Sequence, residues 1–294
     1  MNYPLIRKQL ESYLRFETGH SPRSVHKYLL EFDRLILYLN EYSVALDQVD
    51  QRVLRGYMSQ RANELNRLTY ANIVALLKTI FSYLDYDELV VGNPAQHLKS
   101  PKGINRRQIP VFLTAEQQAL LRNYLTSLKR NFTNDRDHTL FALFLYTGMR
   151  TSEACTLLRS AYHQQLGAIQ ITRKGGKEQI LPLAPQLEEA LQTYWLPHMA
   201  AINSPFFLSR LQGQQLTPYL IWQRISTHLN KAGIILPKKR GAHALRHTFA
   251  SNLVRKGVNL IEIQQLLGHS DISITQIYTH TTAEGLRDAI KKLD

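Results

Sequence analysis

GAHALRHTFASNLVRKGVNLIEIQQLLGHSDISITQIYTH, residues Gly241–His280, is the stretch around which the rest of the chain is organised. It sets His243, Arg246 and His247 within five residues, then Leu267-Gly268-His269, then Tyr278 nine residues past that last histidine. On a helix, His243 lies on one face with Arg246 at i+3 and His247 at i+4. Two histidines at that spacing also suit zinc. The zinc-protease pattern, however, needs Glu directly after the first His, where Ala244 stands, and no acidic cluster completes a ligand set, so no metal is expected. His269 follows Gly268 at the end of a helical pattern, and Asp271 can cap a short helix over Ile272–Tyr278. A phosphate diester calls for a set of this kind: fixed cations for its oxygens, imidazoles for proton traffic and a phenol as nucleophile.

The bulk composition agrees with an anionic polymer as partner. The chain has 294 residues, enough for two ordinary domains, with 44% hydrophobic and 20% charged residues. A net charge of +13 is commonly a footprint for nucleic acid, because neutralising phosphates releases counterions. The basic residues recur along the whole chain, so charge alone marks no site. The single cysteine, Cys155, excludes an intramolecular disulfide and a cysteine-built zinc site, and its place in the apolar run EACTLL suits a small core residue. No stretch approaches the ~20 apolar residues of a membrane span. MNYPLIRKQLESYL is amphipathic without a signal-peptide core, so a reducing, cytoplasmic and nucleoid-associated location is expected.

Taken in order, residues 1–98 read as a four- or five-helix module. Leu10, Tyr13 and Leu14 share a face of a first helix. Ser21-Pro22 starts a second, with Ser as N-cap and Pro in the first turn, and Tyr28, Leu29, Phe32, Leu35, Ile36 and Leu39 follow at helical spacing. Val53, Leu54, Tyr57 and Met58 predict a third helix, and Ile73 through Leu84 a fourth. Residues 99–110 carry two prolines, a glycine and Lys99, Lys102, Arg106 and Arg107, with little to pack, and read as a basic linker able to run along a phosphate backbone. Residues 111–294 form a second domain. Thr114 to Gln117 is a capping box, a buried helix ends near Gly148, and a short one starts at Thr151 or Ser152. AIQITRKGGKEQILPL alternates about a Gly175-Gly176 turn and predicts a β-hairpin. A short strand fits Pro205–Leu208, and helices resume near Pro185 and after Pro218. The fold class is mainly α with a small β-sheet.

Two further residues stand where chemistry could use them. Arg150 sits at a helix junction just past Gly148, although Glu153 three residues on offers an ordinary salt bridge. Lys174 sits at the tip of the hairpin and could swing onto a phosphate or a leaving oxygen, although taken alone it reads as an exposed turn lysine.

The combination is more specific than its parts. Arg150, Lys174, His243-x-x-Arg246, Leu267-Gly268-His269 and Tyr278, in this order and spacing, resemble the tyrosine recombinase (phage integrase) family over essentially the whole chain. TGMRTSEACTL resembles the family's first arginine box, HALRHTFASNLVRKG the second and LLGHSDISITQIYTH the third, while SPRSVHKYLLEFDRLILYL resembles its core-site DNA-binding module. The resemblance implies an N-terminal helical DNA-binding domain and an α+β catalytic domain, closing on DNA as a C-shaped clamp. It implies a site-specific recombinase, Xer-like or from a mobile element, that needs no ATP and no cofactor. Tyr278 would attack a phosphodiester to give a 3′-phosphotyrosine and a free 5′-hydroxyl. His243 would take the phenol's proton, Arg150 and Arg246 would hold the non-bridging oxygens, Lys174 would protonate the leaving oxygen, and His269 would hydrogen-bond the phosphate. Glu153 and His247 would orient these groups. Arg23, Lys27, Lys102, Arg106, Arg107, Lys177 and Arg240 are candidate DNA contacts.

The implied partners are double-stranded DNA with an inverted-repeat core site and three further protomers, as a homo-tetramer or a hetero-tetramer with a related recombinase. Leu286, Ala289, Ile290 and Leu293 form one apolar face in a tail helix of about 283–294, which needs a groove on its own domain or, as the resemblance implies, on a neighbouring protomer. Two other functions use much of the same residue set: type IB topoisomerase-like relaxation, and DNA binding without cleavage.

Overall fold

The computed structural model describes residues 2–62, 65–101, 110–173, 175–236 and 241–268. It divides into two compact units, Met1–Gln108 and Ile109–Asp294.

In the first unit the described residues form four α-helices: α1 Tyr3–Ser12, α2 Pro22–Glu41, α3 Gln51–Ala62 and α4 Arg67–Tyr86. Their starts are set locally. The Ser21 hydroxyl accepts from the Ser24 N–H, Asp50 from that of Val53 and Asn66 from that of Thr69, each satisfying a donor that the first helical turn leaves open. The expected apolar stripes form the core, in which Leu10, Leu14, Phe32, Leu35, Leu39, Leu54, Leu77 and Phe81 are all buried. α1 does not simply end at its last α turn: the chain continues as one π turn, Tyr13–Glu17, which carries Leu14 inward. One carboxylate is buried among these helices. Glu31 on α2 accepts from the Tyr57 hydroxyl of α3 at 2.6 Å and, more loosely, from Arg61 at 3.4 Å.

In the second unit, α5 (Ala115–Ser127) opens with the expected capping box, and α6 (Phe132–Thr147) runs through the middle of the core. Leu140, Phe141, Leu143 and Phe144 are buried, so α6 is apolar around much of its girth and packs against later helices on several sides. α7 (Thr151–Thr156) follows after a tight corner. A three-stranded antiparallel sheet comes next, with strand order β1 (Tyr162–His163), β2 (Ala168–Thr172) and β3 (Glu178–Pro182). β2 and β3 are the expected hairpin, in register from Ala168–Pro182 to Thr172–Glu178, and Gly175 and Gly176 in its turn both have positive φ. β1 was not expected from the sequence. Two residues pairing Tyr162 with Ile169 and His163 with Ala168 are too short to show an alternation. The strand expected at Pro205–Leu208 is instead a single antiparallel bridge between Phe206 and Leu158, held by backbone bonds from Arg159 to Pro205 and from Phe207 to Leu157.

Helices α8 (Pro185–Ala190), α9 (Leu196–Ala201), α10 (Pro218–Lys231), α11 (Gly241–Arg255) and α12 (Leu260–Leu267) complete the described part. A buried polar brace ties α6 to α10: the Asp137 carboxylate accepts from Arg136 and Arg224 and is hydrogen-bonded to His228. Desolvation works against the Asp137 charge, but the His228 bond and the two guanidinia outweigh it and hold the carboxyl below its ordinary value. α11 packs along α6 and is pinned to the start of α5, where the Leu113 N–H donates to Thr248 at 2.8 Å. Cys155 is buried, which raises its thiol to about 11 and fits the expected core role.

Candidate active site

The site is assembled where four segments of the second unit meet. The first is the corner between α6 and α7. Gly148 closes α6 in the left-handed conformation at φ +60°, and a Cβ there would collide with Phe249 of α11 and Leu267 of α12. Only glycine lets these three elements approach so closely. Two residues on, Arg150 stands in extended conformation before the first turn of α7. Glu153 reaches back to accept from its backbone N–H at 2.7 Å, which fixes the local chain direction, and from its guanidinium, also at 2.7 Å.

Arg246 comes from the middle of α11, on a part of the helix that faces the core. Its guanidinium is buried and donates to the Gly148 carbonyl and, at 2.7 Å, to that of Leu267. Arg150 donates to the Gly268 carbonyl at 3.4 Å. The two arginines, 96 positions apart in the sequence, therefore meet at one place, between the end of α6 and the end of α12. His243 is exposed one turn before Arg246, and its ring lies 6.5 Å from that of His247.

The third segment is the β2–β3 hairpin. Alternation places Ile169, Ile171 and Arg173 on one face, and all three are buried. Arg173 spreads its donors over three partners: Glu153 at 2.7 Å, the Gln179 side chain at 2.9 Å and the Leu266 carbonyl at 2.6 Å. Gln179 donates in turn to the Gln265 carbonyl at 2.8 Å. Burial pulls the Arg173 guanidinium below the ordinary arginine value, while Glu153 pulls it the other way.

The fourth segment is the end of α12, closed by Gly268 at φ +60°. Its last carbonyls, from Leu266 to Gly268, accept from three different arginines, an arrangement that suits the negative end of a helix. A side chain at position 268 would press on Arg173, with its Cβ only 2.9 Å from Nε.

The structure thus brings Arg150, Glu153 and Arg246 together, with His243 and His247 on the adjoining face of α11. Lys174, His269 and Tyr278 lie outside the described residues, as do Lys102, Arg106, Arg107 and Arg240 and the tail at 283–294. Arg23 and Lys27 are exposed in the first turns of α2, and Lys177 is exposed in the hairpin turn. Sequence reasoning missed Arg173 and Gln179. The signal was present: a period of two that puts isoleucines inside at 169 and 171 also puts residue 173 inside, and an arginine on a core face needs a partner. Among the described residues no group of three or more His, Cys, Asp or Glu is disposed to hold a metal, and no described helix is long and apolar enough to cross a membrane.

Residues 111–284 match the model of the phage integrase family, and residues 8–86 match that of the phage integrase N-terminal SAM-like domain. The chain belongs to the phage integrase family. It is a tyrosine recombinase, of the enzymes that cleave and rejoin DNA in site-specific recombination. Its relatives include tyrosine recombinase XerC of Thermodesulfovibrio yellowstonii, 30% identical over 96% of this chain and 93% of that protein. They also include tyrosine recombinase XerD of Haemophilus influenzae, 31% identical over 97% of this chain and 96% of that one. The fold of this recombinase is similar to that of the XerH site-specific recombinase in a post-cleavage complex with a palindromic difH substrate. The TM-score is 0.77 at 24% identity, covering 97% of this chain and 84% of the other. These relatives are Xer-like, and they do not favour the topoisomerase-like or binding-only readings.

Proposed function

We propose that this recombinase binds a double-stranded DNA core site of two inverted half-sites and exchanges strands there through Tyr278. The observation that carries the reading is the convergence of Arg150 and Arg246 at the α6 and α12 ends. Two guanidinium forks set side by side match the spread charge of a pentavalent phosphorane better than point cations do, and carbonyl contacts fix the orientation of each fork before substrate arrives.

In this mechanism the Tyr278 oxygen attacks the scissile phosphorus and the bond to the 5′-oxygen breaks. A phenol with an ordinary pKa near 10 is a poor nucleophile at neutral pH, so a base must take its proton. His243, exposed one helical turn from Arg246, fits that task. Lys174 gives a proton to the departing 5′-oxygen, and His269 hydrogen-bonds the phosphate. Glu153 and His247 orient their neighbours. The phosphotyrosine keeps the bond energy, so a 5′-hydroxyl from the partner strand rejoins the DNA without ATP.

The two domains, 1–98 and 111–294, each bind the DNA and are joined by the basic linker 99–110. Arg23, Lys27, Lys102, Arg106, Arg107, Lys177 and Arg240 lie along the phosphates. Four protomers act together, homo-tetrameric or paired with a related recombinase, and the tail helix at 283–294 docks on a neighbour. The enzyme works in the cytoplasm on nucleoid DNA, in dimer resolution or in the movement of a mobile element.

The test is a nicked suicide substrate, built on a core site found by selection, from which the cleaved fragment diffuses away. Wild type is expected to give a slow covalent protein–DNA band on a denaturing gel, and Tyr278→Phe none. Tight binding without that band, even with two sites and a partner recombinase present, would overturn the reading. Strand relaxation by a monomer without exchange would move it to the topoisomerase class.

A further inference from the structure

We infer that Arg173 is a positioning residue for the phosphate clamp: it neutralises Glu153, so that the charge of Arg150 remains available to the scissile phosphate. The inference rests on the proposed role of Arg150 and adds a residue that the three sequence boxes do not contain.

Glu153 is buried and touches two guanidinia at the same distance, Arg150 on one oxygen and Arg173 on the other, each at 2.7 Å. Arginine stays protonated under all ordinary conditions. The trio therefore carries one net positive charge. The Arg173 side chain is 5% exposed and Glu153 4%, whereas Arg150 is 30% exposed, so the surplus charge faces outward through Arg150. Without Arg173 the same carboxylate would neutralise Arg150 alone, and the pair would present a dipole instead of a cation. A phosphate approaching Arg150 would then also meet, a few ångströms behind it, a Glu153 charge that no second cation offsets, in a setting where charges are only partly screened.

Arg173 is held from three sides, by Glu153, Gln179 and the Leu266 carbonyl, so its charge cannot move away from Glu153 toward the substrate. The same bonds tie the hairpin and the end of α12 to the first turn of α7. Gly268 leaves the room that the Arg173 side chain occupies. A residue so enclosed does not reach a substrate oxygen itself. It acts through Arg150.

The experiment compares cleavage of two suicide substrates at saturating protein: an ordinary scissile phosphodiester, and one with both diastereomers of a methylphosphonate there, where a methyl replaces one non-bridging oxygen and removes the negative charge. Arg173→Gln keeps a hydrogen-bond donor and loses the cation. It is expected to slow formation of the cleaved product by about 10–100-fold on the phosphodiester, an effect comparable to or smaller than loss of a direct charge-stabilising donor, and by less than about threefold on the methylphosphonate. Arg150→Ala should show the same selectivity, more strongly. Equal losses on both substrates for Arg173→Gln, with a selective Arg150→Ala, would overturn the inference and leave the clamp intact. A non-selective Arg150→Ala would overturn the clamp reading, and the inference with it. Arg173→Lys serves if Arg173→Gln does not fold, since it keeps the charge and gives up the three-way fork. It should retain phosphodiester cleavage within about threefold of wild type, whereas a merely structural role predicts a loss shared by both substrates.

Discussion

Each unit of this recombinase buries a glutamate, and the two are partnered in opposite ways. Glu31 in the N-terminal unit meets a neutral phenol closely, Tyr57 at 2.6 Å, while Arg61 and Arg34 stand back at 3.4 and 3.7 Å. Glu153 in the catalytic unit meets two guanidinia, both at 2.7 Å, drawn from the α7 junction and the hairpin. The first arrangement fastens α2 to α3. Desolvation, then the bond to Glu31 and its charge, raise the Tyr57 hydroxyl well above its usual value, so it remains a donor at every working pH. The second arrangement leaves a cation over and links α7, the sheet and α12. A buried carboxylate on its own is thus no sign of a site. What distinguishes the two is how many charged partners converge and from how many segments.

Substitutions at the two glutamates should separate these roles. Glu153→Ala takes the carboxylate from a buried and a half-buried guanidinium, and loss of one partner of a buried pair costs about 3–5 kcal/mol. The folded fraction of that variant should also cleave a suicide substrate about 100-fold more slowly, because the Arg150 fork and the chain at the α7 junction lose the carboxylate that holds them in place. Urea melts and a covalent-complex assay check the two effects separately. Intact cleavage by Glu153→Ala would make the two glutamates equivalent after all.

A half-buried histidine measures what enclosure of an unpartnered ring nitrogen costs in the catalytic unit. His138 on α6 stacks on Tyr194 with ring centroids 3.8 Å apart, and among the described residues its buried Nδ1 has no hydrogen-bond partner. Burial lowers it from 6.5 to about 4, against the pull of Asp135. The unfolded chain takes up that proton near 6.5 and the folded chain only near 4, so stability falls as pH drops through this window and levels off below it. His138→Phe keeps an aromatic ring and removes the titration. Between pH 7 and pH 4 wild type should lose up to about 3 kcal/mol relative to His138→Phe. Parallel thermal melts of the two proteins across that range would count against the burial argument.

The smaller effects lie in the N-terminal unit. Glu31→Gln should cost about 1–3 kcal/mol, since Tyr57 keeps an acceptor while Arg61 loses its charge partner. It should leave the rate of the cleavage step at saturating protein unchanged. Tyr57→Phe should cost about 1–2 kcal/mol, the scale of one hydrogen bond to a charged group. A change in the cleavage rate itself, beyond DNA affinity, would show that Glu31 does more than fasten helices.

Much of the fold was legible because its instructions are local. Ser21 and Thr114 cap helices through bonds to residues three positions on, and these motifs are visible in any short window of sequence. The apolar stripes of α2 and α4 and the alternation of the hairpin are periodic, so they too needed no knowledge of the rest of the molecule. The π turn after α1, the two-residue β1 and the single bridge at Phe206 were not legible. Each is too short to carry a period, and the bridge at Phe206 depends on Leu158, forty-eight residues earlier. At the site, the boxes around Arg150 and Arg246 stood out by residue type and spacing. Arg173 did not, because its role depends on Glu153, which lies twenty residues earlier, and on Leu266, ninety-three residues later.

The sequence by itself determined that this protein is a two-part, mainly helical tyrosine recombinase, since caps, periods and boxes are written in residues close to one another. Only the tertiary structure decided that the ends of α6 and α12 would abut closely enough for three arginines to share consecutive carbonyls. It also decided that one buried carboxylate would be shared between two guanidinia. The physical reason is that hydrogen bonds and charges act over a few ångströms of space, and no local pattern records which distant residue will supply the partner.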